Sequence, residues 1–113
     1  MIKIKRIYEI PEEKDGFRVL VDRLWPRGIS KQKACVDLWL KEIAPSDKLR
    51  KWFSHDPKKW INFKSKYIKE LENSPLLQRI KQLEKENKVL TLLYSTKDRE
   101  HNNVVVLYEI LNH

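Results

Sequence analysis

The sequence predicts an α/β fold: one small domain, residues 1–113, with a mostly parallel sheet of three to four strands flanked by helices. Three observations predict it. Short runs with strand character at 2–8, 17–22 and 88–94 are separated by stretches whose apolar residues recur at helical spacing. Val19-Leu20-Val21 is continuous rather than alternating, as a strand covered on both faces is, and 88–94 is strongly apolar and expected to be central. The length of 113 residues suits a single core.

Residues 2–8 alternate Ile2 and Ile4 with Lys3 and Lys5, the period of a half-buried strand. From Pro11 to Gly16 the chain reads as a polar turn into the second strand at 17–22. Pro26 and Gly28 break the next segment, so 23–34 is expected to be a loop. The stretch 36–44 fits two periods. Val36, Trp39, Leu40 and Ile43 share a helical face, while Val36, Leu38 and Leu40 alternate as a strand. Pro45 ends it in either case. Ser46 is placed to cap a short helix through Leu49, Trp52 and Phe53. Asp56-Pro57 supplies a cap and a first-turn proline ahead of Trp60, Phe63, Tyr67, Ile68 and Leu71. Ser74-Pro75 repeats that signal before Leu76, Leu77, Ile80 and Leu83. A last helix is expected from about residue 98 to 111, with Val104, Leu107, Tyr108 and Leu111 inward.

Charge narrows the partners. The chain carries 24 Lys and Arg against 16 Asp and Glu, a net charge of +8. That balance favours anionic partners, whether a small phosphate or carboxylate or nucleic acid; it also simply keeps a small protein soluble. Gly16 and Gly28 are the only glycines, which excludes glycine-rich dinucleotide loops and P-loops. The single cysteine, Cys35, excludes an internal disulfide framework and fits a reducing cytoplasm. No apolar run approaches the roughly 18 residues of a membrane span. The alternating N-terminus lacks the continuous apolar stretch of a signal peptide. Cys35, His55 and His101 have no ligand spacing, so neither a metal nor a cofactor is expected.

In parallel sheets ligands bind outside the carboxyl ends of the strands. That rule brings residues 22–28 and 94–102 together as a candidate site. Arg23 and Arg27 offer planar, permanently charged forks to a phosphate or carboxylate, and Lys97 adds a point charge. The N-terminus of the last helix, placed near 98–100, would add N–H groups and a positive dipole end. Asp22 has two readings: it transfers a proton, or it pairs with an arginine to pin the loop. His101, three residues after Asp98, is either a general acid or base or a hydrogen-bond partner of Asp98. Asp98 is a second proton carrier or an N-cap. Ser95 is a ligand contact or a turn residue, since no triad is visible. Trp25 either stacks on a ligand or plugs the loop onto the sheet. Trp39, Trp52 and Trp60 read as core, and His55 as a helix-start residue near enough to turn toward the cleft.

The string Leu20-Val-Asp-Arg-Leu-Trp-Pro-Arg-Gly28 resembles the hallmark of the YeaO-like family of small uncharacterised bacterial proteins. Further matching motifs are Lys41-Glu-Ile-Ala-Pro-Ser46, Leu49-Arg50, Trp52-Phe53, His55-Asp56-Pro57, Leu92-Leu-Tyr-Ser-Thr-Lys-Asp98 and His101-Asn102. They run through nearly the whole chain in the expected order. The resemblance implies no established activity. The wider group it resembles carries an Asp-x-Arg strand end, a later Ser-Arg, and a strand leading into Cys-His-Arg. Here Asp22-Arg23 and Arg27 stand near the first two places, and Glu100-His101-Asn102 keeps only the histidine of the third. The missing cysteine argues against thiol chemistry.

Two functions are therefore expected to compete. The first is a small-molecule site in which Arg23, Arg27 and Lys97 bind an anion, with Trp25 and Ser95 beside them and Asp22, Asp98 or His101 moving a proton. The second is a nucleic-acid-binding module using the basic and aromatic residues of 48–67, although those aromatics fall on the inward helical spacing.

Overall fold

The computed structural model describes residues 1–112. Four strands, β1 (Ile2–Arg6), β2 (Phe17–Leu20), β3 (Leu38–Trp39) and β4 (Leu90–Tyr94), form one sheet in the order β1-β4-β2-β3. Every pairing is parallel. β4 is the centre: Ile2 pairs with Leu90 on one side, and Phe17 with the same residue on the other. All five residues of β4 are buried, which accounts for its strongly apolar sequence, and the one polar member, Thr91, donates its hydroxyl to the Asp15 carbonyl at 2.6 Å.

Five helices accompany the sheet: α1 (Lys31–Ala34), α2 (Asp47–Phe53), α3 (Trp60–Leu71), α4 (Leu76–Asn87) and α5 (Asn103–Leu111). The four longer ones share a core with Val19, Val21, Leu90, Leu92 and Tyr94, so they cover one face of the sheet. The opposite face is closed differently. At its carboxyl end Leu20 and Leu93 pack with Ile7, Ala34, Trp25 and Trp39, a small second core under the loop after β2. At its amino end the same face is polar. Arg18 donates to Asp15 at 2.6 Å and to the carbonyls of Ala34 and Cys35, and Lys5 reaches the same carboxylate at 3.1 Å. Arg18 and Asp15 are both buried, and the carbonyls absorb the guanidinium donors that the carboxylate leaves over.

Residues 7–16 carry the chain from β1 across to β2, past the position that β4 occupies between them. A 3-10 turn at Glu13–Asp15 ends there in Gly16, at φ 64°. A Cβ on Gly16 would sit 2.2 Å from the carbonyl oxygen of Val89, so the close approach of two strand starts requires glycine.

The local signals were mostly realised. Ser46 accepts from the Leu49 N–H and Asp56 from the Lys58 N–H, with Pro57 opening a 3-10 turn that runs into α3. Both readings of 36–44 hold in part: Leu38–Trp39 pairs with β2, and Lys41–Ile43 coils into a 3-10 turn. Three expectations need correction. The 23–34 loop contains α1, capped by Ser30, whose hydroxyl accepts from Lys33 N–H. Tyr108 is 38% and Trp52 37% exposed, so neither is core; Val106 takes the inward place on α5. The last helix begins at Asn103, because Asn102 caps it by accepting from Val105 N–H, while Asp98 holds the preceding residues in a separate turn.

Candidate functional site

The register of β2 and β4 builds the centre of the site. Leu20 pairs with Leu93, so the residues two positions further, Asp22 and Ser95, leave the sheet side by side. Asp22 Oδ2 accepts from the Ser95 hydroxyl at 2.8 Å and from the Ser95 N–H at 3.0 Å. Burial pushes the Asp22 carboxyl above its ordinary value, despite those bonds, an Asn103 contact and the nearby His55. No arginine is paired with Asp22 among the described residues, so the carboxylate ties two strand ends rather than pinning a loop arginine.

A cleft of about 240 Å³ opens over this pair. Its walls come from the ends of β2 and β4, the turn after α2 and the start of α5. Asp22 is its one carboxylate; Arg23, Arg50, His55 and His101 also line it. Arg23 is held in place by donating to the carbonyls of Pro45 and Ala44 at 3.1 and 3.2 Å. Arg50 reaches only the exposed Asp47, at 3.4 Å. His55 enters the cleft through backbone that seldom suits these residue types: Ser54 and His55 both take left-handed conformations, at φ 47° and 56°. Two consecutive non-glycine residues in that region store strain, which commonly accompanies functional sites.

His101 is oriented from two sides. Its Nδ1 lies 3.0 Å from Asp98 Oδ2, and its ring meets the edge of Trp60 at 5.3 Å between centroids. Asp98 Oδ1 accepts from the N–H groups of Glu100 and His101, both at 2.9 Å. The Glu100 N–H above all, with His101, holds the Asp98 carboxyl below its ordinary value. With the proton on Nδ1 directed at Asp98, Nε2 is the acceptor left to the ring. Asp98 itself does not line the cleft; it touches the lining through His101 and through its carbonyl, which accepts from Asn102 at 2.8 Å.

The remaining sequence candidates fall elsewhere. Trp25, Arg27 and Lys97, with Arg6, line a second, more open hollow of about 540 Å³. The expected trio of Arg23, Arg27 and Lys97 is therefore divided, because Leu24 to Pro26 carry the loop away from the cleft before Arg27. Trp25 donates Nε1–H to the Ile29 carbonyl at 2.8 Å and meets Trp39 edge-on at 5.5 Å, which seats the loop on the sheet. The helix N-terminus expected near 98–100 is supplied instead by Asn102 and Asn103, both in the cleft wall. Sequence reasoning did not single out Arg50 as a site residue. Its signal was a cation one turn from the capped start of α2, indistinguishable from any solvated helix charge. Among the described residues, no group of three or more His, Cys, Asp or Glu is arranged to hold a metal ion. No helix of the described residues is long and apolar enough to cross a membrane.

Fold and site define a small all-parallel α/β protein with a cleft at the carboxyl ends of its central strands, where arginine and histidine side chains meet a largely apolar wall. A family model described as "Inactive DUF488-N3 subclade" matches residues 1–113, and the chain belongs to that family. It is 42% identical over 111 residues to the uncharacterised protein YeaO of Escherichia coli (strain K12), covering 97% of this chain and 96% of that protein. An uncharacterised protein of Mycobacterium tuberculosis is 38% identical over 111 residues, covering 98% of this chain and 93% of that one. No solved structure matches.

Proposed function

We propose that the cleft binds a small anion, a phosphate or carboxylate compound. One observation carries the reading: Arg23, Arg50, His55 and His101 face a cleft whose single carboxylate is engaged by Ser95 rather than by a cation. Neither arginine is neutralised by the cleft's own carboxylate, Arg50 meeting only the exposed Asp47, and the cleft volume suits a compact metabolite more than a whole nucleotide. The family's description as inactive supports binding without turnover. In that role Asp22, Ser95 and the Asp98–His101 pair shape and orient the site.

Arg50 is the residue to test, since its only ion-pair partner is the exposed Asp47 and its loss spares the core. Inorganic phosphate or citrate, at fixed ionic strength against chloride, is expected to raise the Tm of the wild type. Arg50→Ala is expected to weaken binding about tenfold, the weight of one charge-assisted hydrogen bond, with the unliganded Tm nearly unchanged. No stabilisation by any phosphate or carboxylate in the panel would overturn the reading. A nucleic-acid role would draw on the exposed Trp52. Lys59 and Lys66 already hold their ammonium groups over that ring, at 5.1 and 5.2 Å, and a stacked base would have to displace them.

A further inference from the structure

The cleft and the open hollow beside it share Leu24, Ser95 and Thr96 as a common wall. Resting on the reading of the cleft as an anion site, we infer that the two hollows are halves of one site for a ligand with an anionic group at each end. One group would sit among Arg23 and Arg50, and the other would lie across the ridge between Arg27 and Lys97.

Three observations converge on the outer half. Arg6, Arg27 and Lys97 line it, and no carboxylate does. The side chains of Arg27 and Lys97 have no hydrogen-bond or ion-pair partner among the described residues, so their charge is not neutralised within the fold. Arg6, in contrast, is fixed: its guanidinium donates to the carbonyls of Ser95 at 2.8 Å and Thr96 at 3.0 Å. The position of Arg27 is also held, because the Tyr8 hydroxyl donates to its carbonyl at 2.6 Å.

The ridge itself is braced from both sides. Ser95 turns its N–H and hydroxyl toward Asp22 in the cleft and its carbonyl toward Arg6 beneath the outer hollow. A braced ridge keeps two cationic sites at a set separation, and a linker of matching length then makes the second contact intramolecular. A short ligand reaches one half only.

Calorimetric titration of the intact chain with methylphosphonate and a series of straight-chain α,ω-alkanediphosphonates tests this. The diphosphonate of matching length is expected to bind at least about tenfold more tightly than methylphosphonate. The double variant Arg27→Ala/Lys97→Ala should lose that gain and keep the methylphosphonate affinity of the wild type. A control, Lys81→Ala/Lys85→Ala, makes the same charge change on exposed positions of α4 and should keep the gain. If methylphosphonate, like every phosphate and carboxylate of the panel, does not bind the wild type, the anion reading of the cleft fails, and this inference with it. If it binds but no diphosphonate gains, or the gain survives Arg27→Ala/Lys97→Ala, or the control loses it equally, the two-ended ligand is wrong and the cleft reading stands.

Discussion

Two aspartates place opposite demands on pH. At Asp15, burial alone would raise the carboxyl, but the Glu12 N–H, Lys5 and Arg18 together hold it below its ordinary value. Its contribution to stability is therefore present above the unfolded carboxylate range and is lost as pH falls through the lowered value. Asp22 runs the other way. Burial raises it, so its ionisation costs stability as pH rises from the ordinary carboxylate range through the raised value. Asp22→Asn keeps an oxygen to accept from Ser95 and removes the buried charge. At neutral pH it is expected to be more stable than the wild type by on the order of 1 kcal/mol, the gain typical of relieving a functional site. The advantage should shrink to nothing as pH drops toward the unfolded carboxylate value. Thermal melts across that range would contradict the burial argument if the variant were less stable at neutral pH or if the difference did not vary with pH.

At the level of elements, β2 shows how one strand serves both stability and site. Its amino half carries Arg18 into the polar face, where it joins the 3-10 turn at Glu13–Asp15 to the end of α1 through Asp15 and the carbonyls of Ala34 and Cys35. Asp15→Ala would leave a buried guanidinium without its counter-charge, so a loss of about 3–5 kcal/mol is expected in denaturant unfolding. Glu12→Ala removes an exposed partner of Lys5 and Lys14 at the start of the 3-10 turn and should cost much less than Asp15→Ala. Equal losses in the two variants would show that the buried pair is not what joins these elements. The sequence announced the carboxyl half of β2 more clearly than this amino half. A continuous apolar run ending in Asp22 marks a buried strand end, and parallel-sheet logic then brings 94–102 to the same edge; that Ser95 is the direct partner of Asp22 follows only from the register. The direction of His55 had no such marker, since neither of the two left-handed residues, Ser54 and His55, is a glycine or asparagine. The start of α5 was misplaced because Asp98 and Asn102 are equally good caps by residue type, and only the turn closed by Asp98 separates them. The division of the cations was hidden for the same reason: it depends on how Trp25 seats the loop on Trp39.

For the molecule as a whole, the sheet order decides how it can fold. β1, at the start of the chain, has one partner, β4, with Ile2 set against Leu90 and Arg6 against Tyr94. β2 also depends on β4, since its other neighbour, β3, offers only Val19–Leu38 and Leu20–Trp39. Until the last quarter of the chain joins, the first two strands have a gap between them where the central strand belongs. Such long-range pairing places the cost of loop closure before its reward, so the sheet should appear in a single late step rather than strand by strand. A chain ending at residue 88 retains α1 to α4 and three of the four strands, yet it lacks β4 and α5. It also lacks Leu90, Leu92, Tyr94, Val104 and Leu107 from the main core. That fragment is expected to show no cooperative thermal transition and no slowly exchanging amides in residues 2–6 or 17–20. In the full chain, the amides of β4 and the β2 amides that it pairs with should be the slowest to exchange, opening only with global unfolding. A cooperative melt of the fragment, with protected amides in β1, would mean that the early elements hold a sheet without their centre. The site would then be assembled on a preformed scaffold rather than together with the fold. Under the arrangement seen here the reverse holds: Ser95 arrives with β4, so the Asp22–Ser95 contact and the cleft over it form in the same step that completes the sheet.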